Sequence, residues 1–122
     1  MSVDMHMLLA VLHILFVAPL FFYIAFVRSD MPEWFYNVLL VLGLGIMLFH
    51  GWKFIVRYMA KASGAWVNAI HVFYVAPLLI YIGYMKKDTP RAGYELSAMV
   101  GFAALGYHLY SLVSQLQIAG LN

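Results

Sequence analysis

His13-Ile-Leu-Phe-Val-Ala-Pro-Leu-Phe-Phe-Tyr-Ile24 returns fifty-eight residues later as His71-Val-Phe-Tyr-Val-Ala-Pro-Leu-Leu-Ile-Tyr-Ile82. The same spacing continues without a gap and pairs Asp30 with Asp88, Pro32 with Pro90, Tyr36 with Tyr94, Gly43 with Gly101 and His50 with His108. Each half therefore repeats one unit, over about residues 5–58 and 63–116. Both quoted stretches are almost wholly apolar, and each lies inside a longer apolar run. Four such runs cover about 7–27, 34–57, 66–85 and 94–116, each close to the roughly 20 residues an α-helix needs to cross the hydrocarbon of a bilayer. The repeated unit is thus a pair of transmembrane helices, a helical hairpin.

Composition agrees. Of the 122 residues 66% are hydrophobic and 10% charged, far too few charges to cover a water-facing surface, so the outer surface faces lipid. The expected fold is an all-α integral membrane protein, a single membrane domain over 1–122 with four transmembrane helices as two tandem hairpins. Two copies of a two-helix unit are parallel repeats, related by a pseudo-two-fold axis along the membrane normal, and they form a four-helix bundle. Short polar connections at 28–33, 61–64 and 86–91 make consecutive helices antiparallel neighbours and put both termini on one side, here side A. Pro32 and Pro90 suit the first turn of the helix that follows, and Asp30 and Asp88 beside them suit turns or caps. Trp34 and Trp52 bracket the second run and Trp66 opens the third, as interfacial anchors do. Lys and Arg divide almost evenly between the two sides, which leaves the orientation open. The first run is too long for a signal-peptide core, lacks a preceding Lys or Arg and a following cleavage site, and reads as a retained helix.

Other classes are excluded. No cysteine is present, so disulfides, thiolate metal sites and Cys nucleophiles are absent. A net charge of +2 gives no case for nucleic acid, and the partner the composition implies is the bilayer. No serine lies beside a base, no Gly-rich phosphate loop and no paired carboxylates occur, so redox chemistry on a bound group is the one enzymatic role to consider. The eight methionines are scattered and read as packing.

What remains is histidine. The residues kept between halves share a face: His13, Val17, Leu20 and Ile24 form one helical stripe, and Tyr36, Gly43 and His50 another. Within each hairpin the two histidines are equally far from the loop, so His13, His50, His71 and His108 are expected in one layer just inside side A. Intramembrane ionisable residues mark function. Imidazole suits Zn, Cu, Fe or Ni, and four of them could ligate one ion on the axis, but at the cost of an uncompensated charge in low dielectric. A haem b carries its own neutralising dianion and takes two axial histidines. Its propionates would need cations, and Lys53 and Arg57 lie on the His50 face toward side A, where they otherwise snorkel. The second half has Ser111 and Gln115 there, which argues against two equivalent haems and for one haem or a homo-oligomer sharing sites.

Haem or metal binding, with electron transfer, is therefore the leading reading. The alternative is a histidine-gated proton or ion pathway running toward Tyr23, Tyr36, Tyr81 and Tyr94. A structural histidine network is the third. Pro19 and Pro77 should bend their helices just below the layer and free the carbonyls of Leu15 and Phe73, while Gly43 and Gly101, level with Leu20 and Leu78, permit close approach. His6 lies outside the repeat and reads as a solvated residue near the terminus.

Overall fold

A computed structural model describes residues 5–118 and 120. They are helical throughout, without strands among the described residues. Four helices are long and apolar enough to span a bilayer: Met5–Asp30, Glu33–Met59, Ala65–Asp88 and Arg91–Ile118, here the first to fourth. Their outward faces carry Phe26, Trp34, Leu48, Trp52, Phe73 and Tyr84, all more than 60% exposed, which suits a surface solvated by lipid tails. Trp66, at 53%, is likewise exposed.

The helices start just after the prolines. Pro32 is extended, its carbonyl accepts the Phe35 N–H at 3.0 Å, and the Pro90 carbonyl accepts the Gly93 N–H at 2.9 Å. Each proline thus stands one residue outside its helix rather than in the first turn. Asp30 and Asp88 close short 3₁₀ turns, Arg28–Asp30 and Lys86–Asp88, at the ends of the helices before them. Arg28 and Lys86, one repeat apart, enter these turns with φ of 57° and 53°, a conformation that costs a side-chain-bearing residue about 1–3 kcal/mol. Hydroxyls hold both carbonyls: Tyr36 donates to Arg28 O at 3.1 Å and Thr89 to Lys86 O at 2.6 Å.

The first and third helices are not regular. At His13–Val17 and again at His71–Val75 the chain widens into a π turn. The Ala18 N–H reaches back five residues to His13 O, and the Ala76 N–H likewise to His71 O. Ile14 and Val72 thereby lose their α-helical donors, and the next N–H that could serve them belongs to Pro19 or Pro77, which have none. Carbonyls without an α-helical donor were expected four residues before each proline, at Leu15 and Phe73; the wider turn adds Ile14 and Val72, one residue nearer the histidine. Proline crowds the preceding turn, and one added residue relieves that clash.

Packing divides the chain into two compact units, each made of two helices. One is Arg28–Gly93, with the second and third helices; the other joins the described residues up to Val27 to those from Tyr94 on. Contacts thus gather helices across the repeat rather than within each repeated hairpin. In the first of these units the helices touch through glycine: a β-carbon at Gly83 would stand 2.6 Å from Leu40 N, and one at Gly43 would stand 2.8 Å from the Ile80 side chain and 3.1 Å from Ala76 O. In the other, a β-carbon at Gly101 would press the Phe22 ring at 3.0 Å. The close approach expected of Gly43 and Gly101 is present, but toward Ile80 and Phe22 instead of Leu20 and Leu78.

Candidate functional site: two stacked histidine pairs

All four repeated histidines lie on helix faces that are half-buried. The Arg28–Gly93 unit brings together His50 of the second helix and His71 of the third, with ring centroids 4.1 Å apart and planes inclined by 15°. The other unit does the same with His13 and His108, again at 4.1 Å and with an inclination of 24°. The histidines therefore pair across the repeat, His50 with His71 and His13 with His108, and not as the two members of each hairpin. Each pair takes one histidine from a π turn and one from a regular helix.

Hydrogen bonds fix how the rings are turned. His71 Nδ1 lies 2.7 Å from Val67 O, and His13 Nδ1 lies 2.7 Å from Leu9 O, the same contact one repeat apart. A carbonyl can only accept, so in both residues Nδ1 carries the proton and the neutral ring keeps its lone pair on Nε2. His50 Nδ1 lies 3.0 Å from Asn68 Oδ1, also an acceptor. In this pair both Nδ1–H groups therefore point toward consecutive residues of the third helix, Val67 and Asn68. The two rings thus stack with their Nδ1 atoms turned toward the same stretch of the third helix.

Asn68 was missed in the sequence. It is 2% exposed, and its Nδ2 is buried with no hydrogen-bond partner among the described residues. A signal was available: it is a lone amide in an apolar run, three residues before His71 and thus one turn away on the same face, where the first half has Ala10. Burying an amide costs stability unless its hydrogen bonds are made, so its contact with His50 gives it a role in the pair.

Lys53 and Arg57 are placed less centrally. The Lys53 ammonium stands 5.0 Å from the centroid of the Phe49 ring, and that ring meets His50 edge-on at 5.2 Å. Arg57 lies over the turn to the third helix, its Nη1 3.8 Å from where a β-carbon on Gly64 would be. Both are half-buried. Of the tyrosines on the second reading's path, Tyr36 and Tyr94 are buried, whereas Tyr23 and Tyr81 are exposed. Among the described residues no three His, Asp or Glu side chains converge as a metal-ligating group, so each pair offers two ligands. No protein-family model matches the chain, no curated protein matches it in sequence, and no solved structure matches its fold.

Proposed function

We propose that this is a multi-pass membrane protein whose histidine pairs bind a transition-metal ion through Nε2, and that the bound ion serves electron transfer. The observation that carries the reading is the orientation of His50 and His71, stacked at 4.1 Å with both Nδ1–H groups given to oxygen acceptors. Ligating histidines are regularly oriented in this way, by a second hydrogen bond from the other ring nitrogen. Two imidazoles on one ion, each about 2.1 Å away and roughly 109° apart, hold their nitrogens about 3.4 Å from each other with each lone pair aimed at the ion, so binding requires the two neighbouring rings to tilt out of their parallel stack. A haem b needs its two axial rings on opposite faces of the iron, so one pair could give it a single ligand, with Lys53 and Arg57 as the cations nearest for its propionates. An ion such as Zn, Cu, Fe or Ni, which imidazole suits, needs both ligands on neighbouring helices, as His50 and His71 are. The 58-residue duplication supports reading the chain as two tandem hairpins with pseudo-two-fold symmetry, which makes the two pairs equivalent sites.

Elemental analysis and a visible spectrum of detergent-purified protein test this. The expected result is near-stoichiometric transition metal, reduced in His50→Ala and His71→Ala proteins that remain helical. Metal-free protein from metal-replete cells would sink the proposal, while a Soret band would replace the ion by haem.

One observation favours the second reading, a proton or ion pathway. The π turns remove donors from the Ile14 and Val72 carbonyls directly beside His13 and His71, which sets acceptors next to imidazoles that can give and take protons. Proton flux into liposomes that persists after simultaneous replacement of His13, His50, His71 and His108 would rule that pathway out.

A further inference from the structure

The π turn at His71–Val75 sits between two parts of the third helix that both face the second. On the third helix, His71 stacks on His50 of the second helix, and Gly83 closes on Leu40 of that helix. Asn68 and Ile80 repeat the pattern, one bonded to His50 and the other against Gly43. In both cases the two contact residues are twelve positions apart. A regular α-helix turns about 100° per residue, so twelve residues leave the second contact about 120° round the helix from the first. Eleven would leave it about 20° off, within reach of one groove. A π turn is the local form of one residue inserted into an α-helix, and it takes up about 100° of rotation.

We propose that the π turn at His71–Val75 stores one surplus residue and thereby registers His71 against His50. The inner segment is locked to its neighbour by the Gly43 and Gly83 contacts, where no side chain could be added without moving backbone. The outer segment carries the histidine rigidly, because Nδ1 is tied to the carbonyl four residues back. Between these two bodies only the turn can adjust the phase. His71 is thus a ligand placed by Phe73, Ala76 and Pro77, none of which contributes a ligating atom.

The proposal concerns the pair and not the ion, so its test is made without metal. Because the chain has no cysteine, His50→Cys with His71→Cys gives a unique cross-link that reports whether the two positions face each other. Phe73 is 71% exposed on the third helix and Leu48 is 77% exposed on the second, between Gly43 and His50. Deleting Phe73 should convert the π turn to an α turn and leave cross-linking within twofold of the parent. Deleting Leu48 from a regular helix should rotate position 50 by about 100° and lower cross-linking at least tenfold. Where the Leu48 deletion does not fold, an alanine inserted after Phe73 takes its place, with the same tenfold loss expected. Loss of cross-linking or of folding on Phe73 deletion overturns the proposal, as does cross-linking that survives both the Leu48 deletion and the insertion. Absence of metal in the parent protein would overturn the functional reading above and leave this result standing.

Discussion

The two histidine pairs share their rings and differ in what surrounds them. Both stack at 4.1 Å, both draw one histidine from a π turn, and both tie that histidine to the carbonyl four residues before it. Around His50–His71, however, stand Asn68, Lys53 and Arg57, where the equivalent positions near His13–His108 hold Ala10, Ser111 and Gln115. The second and third helices also meet at Gly83 with no room for a β-carbon, whereas its counterpart on the first helix is Ala25, which carries one. The duplicated chain has kept stack, tautomer and π turn in both copies and varied the polar shell and the depth of helix contact. What both pairs share is therefore the stacked rings; what one pair adds changes the polarity and packing around them.

The largest effect is expected where backbone meets backbone. Gly83→Ala would place a β-carbon 2.6 Å from Leu40 N, which must force the second and third helices apart at a cost of about 3 kcal/mol or more, while Ala25→Gly should cost about 1 kcal/mol. Unfolding of both variants in mixed micelles measures the contrast; equal losses would mean that the two units are packed alike.

Next comes the amide. Asn68→Ala makes the His50–His71 shell resemble that of the other pair, removes one hydrogen bond to His50 and should lower stability by about 1 kcal/mol. If Asn68 orients His50 as a ligand, the same change weakens metal binding about tenfold, within the range seen when a ligating histidine loses its orienting partner. The reciprocal Ala10→Asn, at a position 1% exposed, should destabilise because no space waits for the larger side chain. A metal titration of both variants sharpens the comparison, and no change for Asn68→Ala would make that residue irrelevant to binding.

A smaller effect is expected from Tyr36→Phe, which removes the hydroxyl that holds Arg28 O and should cost about 1 kcal/mol in the same unfolding experiment. Smallest of all is the Lys86–Glu33 ion pair at 2.9 Å, exposed at both ends. The positions one repeat away, Arg28 and Arg91, are both cationic, so this contact too has no counterpart one repeat away. Glu33→Gln should shift thermal unfolding slightly at low salt and not at all at high salt.

Much of this was legible in the residues. The four apolar runs lie within a few residues of the four long helices, because a lipid solvent demands unbroken apolarity over a length set by the bilayer. Gly43 and Gly101 announced close approach, and the proline pair announced irregular helices. The pairing was not legible. Counting outward from a loop relates residues along one hairpin and says nothing about which neighbouring helix a side chain meets, and here His50 turns to His71 of the next helix. Asn68 escaped notice for a related reason: a single amide near a helix end looks interfacial until the packing buries it.

By itself the sequence determined that the chain is helical, with four helices long and apolar enough to cross a membrane, and that four histidines stand at positions whose surroundings recur fifty-eight residues apart. These follow from composition and periodicity, which respond to the solvent and to the helix's own geometry. The tertiary structure decided which histidines stack, which acceptors the His13, His50 and His71 Nδ1 atoms meet and where the helices widen. Those depend on contacts between residues far apart in the chain, where a β-carbon at Gly83 or an acceptor at Asn68 changes what can approach, and no property of either residue alone specifies its partner.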